Sequence, residues 1–222
     1  MRLRNNITIR ILLFCSLTLA LACAKEAKNE TEVYRNDFEN NNFAEITNPV
    51  VETYNGSKVL GRYNNGGFIV NIGGLPKHDL VEITFDLFIH DSWDGNRTDD
   101  NGNNGPDVWK MMIEGEEYIN TTFSNSDCGT NYFCDPQSYP LNYPNNNNNP
   151  KTGAFNKNLP GVCLIAGQLG GTSQYRIIKR VRHDKNTLML KCLDQLVQKN
   201  SNDKKCDESW SVDNLVIKTI QL

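Results

Sequence analysis

Two acidic segments that each carry a tryptophan, Asp91-Ser-Trp-Asp-Gly-Asn96 and Asp207-Glu-Ser-Trp-Ser-Val-Asp-Asn214, lie far apart in the chain, each beside a run that reads as a strand. Carboxylate and amide oxygens at this density suit a calcium ion, which takes six to eight oxygen ligands and offsets the repulsion among crowded acids. Asp91, Asp94, Asn96 and Asp107 are the donors the first segment and its surroundings offer. A further run over 99–107 places Asp or Asn at 99, 101 and 103, but it has no glycine at its sixth position and Lys110 stands where an EF-hand needs a bidentate glutamate. Against the metal reading stands a plain one, in which Asp and Asn cap turns with their own side chains.

The aromatics divide the same way. Trp93 and Trp210 each follow a serine in an acidic context, either packed beneath a calcium-bearing edge or exposed to stack on a sugar, while Trp109 starts a strand and reads as core. Tyr139 and Tyr143 are further stacking candidates. Histidines at 78, 90 and 183 are scattered, and no Cys-x-x-Cys spacing supports zinc. No G-x-S-x-G, H-E-x-x-H or phosphate-binding glycine loop is present, so the chain reads as a non-enzyme. A glycoside hydrolase would need two carboxylates facing each other across a cleft.

The elements that must position these residues have a period of two. Val81, Ile83, Phe85, Leu87 and Ile89 alternate with polar residues, interrupted by Phe88, as in a strand with one face in a core. Residues 67–72, 108–113, 117–123, 175–181, 187–193 and 213–220 are further strands between turn-forming residues. A short helix within 188–199 competes, because Leu193, Leu196 and Val197 share a helical face. Many short strands with polar connections imply an all-β chain, an antiparallel β-sandwich of the jelly-roll kind. Residues 34–222 form one domain, with a long loop insertion at about 125–160 that holds Cys128, Cys134 and the asparagine run 145–149.

The first residues address the chain outside the cytoplasm. Arg2, Arg4 and Arg10 precede an apolar stretch too short to span a bilayer, so 1–22 reads as a signal peptide. Cleavage after Ala22 leaves Cys23 at the new terminus, where a lipid anchor to a bacterial membrane or cell surface is expected, with plain secretion as the alternative. Residues 23–33 are polar and charged, as a flexible tether is. The formal charge is −3, and the segment removed carries only arginines, so the mature chain is acidic and offers nucleic acid no basic face. Five cysteines remain after Cys23. The economical pairing joins Cys128 to Cys134 and Cys192 to Cys206, leaving Cys163 reduced, although spacing alone does not choose among the alternatives.

The order of Phe85-Asp-Leu-Phe-Ile-His-Asp-Ser-Trp-Asp-Gly-Asn96, Gly105-Pro-Asp-Val-Trp109, Thr121-Thr-Phe-Ser-Asn125, Gln137-Ser-Tyr-Pro140, Thr152-Gly-Ala154 and the 207–214 segment resembles galactose-binding-like jelly-roll modules of bacterial secreted and surface proteins. The ends, Asp37-Phe-Glu39 and Trp210-Ser-Val-Asp-Asn214, are similar to those of jelly-roll carbohydrate-binding modules. That resemblance implies a structural calcium held by Glu39 and Asp213, with Asp37 beside them. It also implies a glycan ligand, or a surface-protein ligand if the domain is structural or adhesive. The cysteine-bearing loop after Asn125 and the lysine-rich stretch 199–205 depart from the family's pattern.

Overall fold

The computed structural model describes residues 27–102, 104–129, 134–199 and 201–222. The signal peptide and Cys23 lie outside the described residues. Among the described residues twelve strands and one turn of helix follow in order: β1 (Asn29–Asn36), β2 (Ile46–Thr47), β3 (Val51–Tyr54), β4 (Ser57–Tyr63), β5 (Gly67–Gly73), β6 (Leu80–Asp91), β7 (Val108–Ile113), β8 (Glu116–Thr122), β9 (Asn156–Pro160), β10 (Leu169–Arg182), β11 (Thr187–Gln195), α1 (Lys204–Asp207) and β12 (Glu208–Gln221). They form two antiparallel sheets. One runs β3-β4-β12-β6-β10-β9, with β1 also paired to β12; the other runs β2-β5-β11-β7-β8. From β4 onward the chain passes back and forth between the sheets, the winding of a jelly-roll sandwich.

The inner faces close over one core. Val81, Ile83, Phe85, Leu87 and Ile89 of β6 point into it and meet Trp109 and Met111 of β7, Leu188 and Leu190 of β11, and Trp210 and Val212 of β12. Phe88, which interrupts the alternation, belongs to a small second cluster with Tyr54 and Val59 on the outer face of the same strand. That cover explains why β6 is buried on both faces from Phe85 to Asp91.

Three expectations need correction. Residues 187–195 form β11 rather than a helix, because Leu188, Leu190 and Cys192 alternate into the core while β5 and β7 supply backbone partners on either side. Residues 29–33, assigned to the tether, belong to β1, which pairs with β12 through residues 29–32 and, after a bulge at Val33, through 34–36. The pairing of Cys192 with Cys206 is wrong: Cys192 is free and buried between the sheets, and Cys206 is bonded to Cys163. The Cys128–Cys134 bond is as expected.

The insertion at 125–160 ends in β9 and is tied down along its asparagine run. Asn96 Nδ2 donates to Asn146 O at 2.7 Å and to Asn147 Oδ1 at 2.8 Å, and Asn148 exchanges two backbone bonds with Gln137. This asparagine-rich stretch is therefore a structural cover over the sheet end, held through amide groups that donate and accept at once.

Candidate metal and ligand site

Glu208 opens β12 opposite Asp91, where β6 closes, so the two acidic tryptophan segments lie side by side at one end of the sandwich. Their indoles face inward. Trp93 Nε1 donates to Ser209 O at 2.9 Å, Trp210 Nε1 donates to Asp194 Oδ1 at 2.7 Å, and Trp109 meets Trp210 edge-on at 5.8 Å. All three tryptophans have 0% exposure, which corrects the assignment of Trp93 and Trp210 as ligand platforms. Tyr139 packs on Phe123 and Tyr175 at centroid distances of 4.9 and 5.1 Å, and the backbone N–H of Tyr143 donates to Asn120 O. Tyr139 instead borders a second groove, of about 340 Å³, with Tyr118, Leu141, Ile178 and Lys179.

The four oxygen donors expected around this loop separate into two pairs. Asp91 has φ +64°, and its carboxylate accepts backbone N–H groups from Val162 and Cys163 at 3.0 and 3.2 Å, fastening the turn after β9. Asn96 accepts from Thr122 Oγ1 and from Ser138 Oγ, the latter at 3.0 Å, and gives its N–H groups to the asparagine run. Both are engaged in holding loops. Asp94 and Asp107 converge instead, and a third carboxylate joins them, that of Glu208. Among the described residues these three make the one set whose ligand atoms all lie within 4.8 Å of one another.

Local backbone explains how the acids come so close. Asp107 Oδ2 accepts the N–H groups of Asp94 and Gly95 at 2.7 and 3.0 Å. Gly95 has φ +68°, and a Cβ there would stand 2.3 Å from Pro136 O; a Cβ on Gly105 would stand 1.9 Å from Arg97 O. The two glycines let the 94–97 and 105–107 segments fold against each other. Asp107 and Glu208 are fully buried. Burial, and then the neighbouring carboxylates, push the pKa of both upward, and burial does the same to Asp94.

Above the acids opens a cleft of about 580 Å³, with Ser92, Arg97, Asn125, Ser126, Asp127 and Asp135 among the residues of its wall. Ile165 stands among these polar residues in the wall. Glu208 and Gln198, which touch each other here, were missed from sequence. Glu208 had a signal, since it sits two residues before Trp210 in the second acidic segment. Gln198 had none.

The resemblance pointed to Glu39, Asp213 and Asp37, and the structure brings these near one another on the other side of β12. Ser57 Oγ donates to Glu39 Oε1 at 2.6 Å and lies 3.5 Å from Asp213 Oδ2. Lys58 N also donates to Glu39 Oε1, and the Glu39 backbone N–H donates to Asp37 Oδ1. Burial, and then the charges of Asp86, Glu39 and Asp37, push the Asp213 pKa up to about 6. The Lys58 ammonium, bonded to Glu39 O and Asn41 Oδ1, supplies positive charge beside the group.

No protein-family model matches the chain, and neither does any curated protein. Among solved structures it is similar to a family 35 carbohydrate-binding module from Clostridium thermocellum, with 11% identity over 85% of this chain and 97% of that one and a TM-score of 0.34. It is also similar to the C-terminal CBM6 of a laminarinase, LamC, from Zobellia galactanivorans, with 12% identity, 86% and 99% coverage and a TM-score of 0.35. The CBM22-2 xylan-binding domain of Xyn10C from Paenibacillus barcinonensis gives 15% identity, 84% and 99% coverage and a TM-score of 0.33. At these scores the likeness transfers no residue and no ligand.

Proposed function

We propose that the chain is a non-catalytic carbohydrate-binding module that works outside the cytoplasm, tethered by a lipid on Cys23. The observation that carries the reading is the polar cleft at the loop end of the sandwich. Its volume lies within the range of small-molecule sites, about 300–1,000 Å³. Beside Ile165 its wall offers carboxylates, amides, hydroxyls and one guanidinium, donors and acceptors of the kind a polyhydroxylated ligand needs. The sequence resemblance points the same way. Catalysis is disfavoured by the geometry of the acids: Asp94, Asp107 and Glu208 hold ligand atoms within 4.8 Å of one another, with Asp107 and Glu208 buried, and so they do not flank a scissile bond.

The test is a glycan array followed by calorimetry on the mature chain and on its Arg97→Ala and Asp127→Ala variants. Binding that each variant weakens about tenfold or more supports the cleft. No glycan bound at millimolar concentration, or binding indifferent to both variants, removes it. The adhesive reading is the second one, and the burial of all three tryptophans favours it, since no indole is left to stack on a sugar. It predicts an empty array and retention on bacterial surfaces.

A further inference from the structure

Gln198 is 4% exposed, and its Nε2 donates to Glu208 Oε1. The other end of that amide, Oε1, therefore lies beside the acids as a buried acceptor with no donor. It is one of five. Asp94 Oδ1, Asn104 Oδ1, Asp107 Oδ1 and Glu208 Oε2 are likewise buried without a hydrogen-bond partner. Asn104 is brought there by an antiparallel bridge to Gln198 and by the Gly105 N–H bond to Val197 O at 3.0 Å. A buried acceptor left alone is destabilising, and a charged one more so. Five such acceptors in this region, three of them on carboxylates that converge within 4.8 Å and with the Arg97 guanidinium 3.8 Å from Asp94 Oδ2, favour a bound cation.

We propose that Asp94, Asp107 and Glu208, with the amide oxygens of Gln198 and Asn104, form a calcium site in the floor of the cleft. The donors are all oxygens, which excludes a zinc-type preference for nitrogen and sulfur. Oxygens bound to calcium at 2.3–2.6 Å stand up to about 5 Å apart across the ion, and the three carboxylates meet that limit. Five protein oxygens leave one to three positions of a calcium shell for water or backbone, a looser arrangement than the strict octahedron of magnesium. The ion joins the loop after β6, the loop before β7, the end of β11 and the start of β12. The floor of the cleft is then ordered only when calcium is present.

The mature chain, stripped with chelator, is titrated with terbium while tryptophan is excited, and then back-titrated with calcium. Trp93 adjoins Asp94 in the chain, so energy transfer to bound terbium is expected, with calcium quenching it. The Asp107→Asn/Glu208→Gln double variant should weaken terbium and calcium at least 100-fold, and Glu39→Gln should leave both unchanged. Should the double variant not fold, Gln198→Met decides, with a loss of about tenfold expected. Absence of sensitised emission in the parent overturns the site, as does emission that survives these substitutions or that Glu39→Gln abolishes. No glycan enters the titration, so its failure leaves the cleft reading intact, and an empty glycan array leaves the metal site intact.

Discussion

Two groups of acids sit five residues apart on β12, about 17 Å at the rise of a strand, and they solve the same problem differently. At Asp213 the neighbours are donors: Ser57 Oγ, the backbone N–H of Lys58 and its ammonium surround Glu39, and Asn214 N donates to Asp213 Oδ1 at 2.6 Å. At Glu208 several neighbours are acceptors: Gln198 Nε2 donates to Glu208 and two backbone N–H groups to Asp107, while Oδ1 of Asp94 and of Asp107 and Oε2 of Glu208 have no donor. Acids close together do not by themselves mark a metal centre. What distinguishes the two ends is how many buried carboxylate oxygens are left without a protein donor, and by that criterion the proposed metal site lies at the Glu208 end.

The largest expected effect comes from the staple at the Glu208 end. Cys163–Cys206 closes a loop of sequence separation 43, against 6 for Cys128–Cys134. Chain-entropy arithmetic assigns the long loop about 4 kcal/mol and the short one about 2 kcal/mol. Replacing both cysteines of the long pair by serine should therefore lower the denaturant midpoint roughly twice as far as the same change at the short pair. It should also weaken calcium, because Cys206 lies two residues before Glu208 and Cys163 N donates to Asp91. Equal calcium affinity with and without the long disulfide would separate the staple from the metal floor and spoil that half of the comparison.

A smaller effect comes from His90, which lies opposite Ser209 on β6, near the start of β12 where Glu208 also sits. It is fully buried, with Thr172 Oγ1 at 3.0 Å on Nδ1, Ser211 Oγ at 2.7 Å on Nε2 and Tyr54 edge-on at 4.7 Å. Burial, and then the charge of Arg62, lower its pKa to about 3. The unfolded chain takes up the proton near pH 6.5 and the folded one does not. Stability is thus fully present above about pH 6.5 and falls as pH drops, by about 1.4 kcal/mol per unit and about 2 kcal/mol by pH 5. Urea unfolding at pH 7 and pH 5 should show this loss in the parent and a reduced one in His90→Gln. An unchanged loss in the variant would assign the acid sensitivity to the carboxylates.

How much of this was legible in the sequence follows from range. The alternation at 81–89 requires only the side chains of one strand, and the two-sheet architecture came from several such runs. The strands β1 to β4 and β9 were missed: β1, β2, β3 and β9 are short or edge strands with little alternation, and β4 carries Gly61 at φ +142°, whose would-be Cβ lies 2.5–2.8 Å from Ser211 and Trp210. Asp94 and Asp107 were visible as acids in a loop. Their third partner comes from a strand about a hundred residues later, and the separation of Asp91 and Asn96 from them depends on which backbone N–H groups happen to lie nearby. The Cys163–Cys206 bond has the same origin, since Leu164 N donates to Cys206 O only after β9 and β12 are in place.

The finest distinction between the two ends is a sign. Asp213 carries a raised pKa of about 6, so its ionised form is the strained one and its contribution is lost as pH rises through that value. Asp213→Asn keeps an oxygen for Asn214 N and removes the charge that opposes Asp86, Glu39 and Asp37. With Lys58 already in place, the substitution should be neutral or stabilising at pH 7, by at most about 1 kcal/mol once solvent screening is allowed for. A calcium ion held there would reverse the sign, making the same substitution destabilising in calcium and harmless in chelator. Thermal unfolding of Asp213→Asn in both buffers therefore measures the comparison at its most sensitive point: equal, small, non-negative shifts keep the metal at the Glu208 end, whereas a calcium-dependent loss moves it to Glu39 and Asp213.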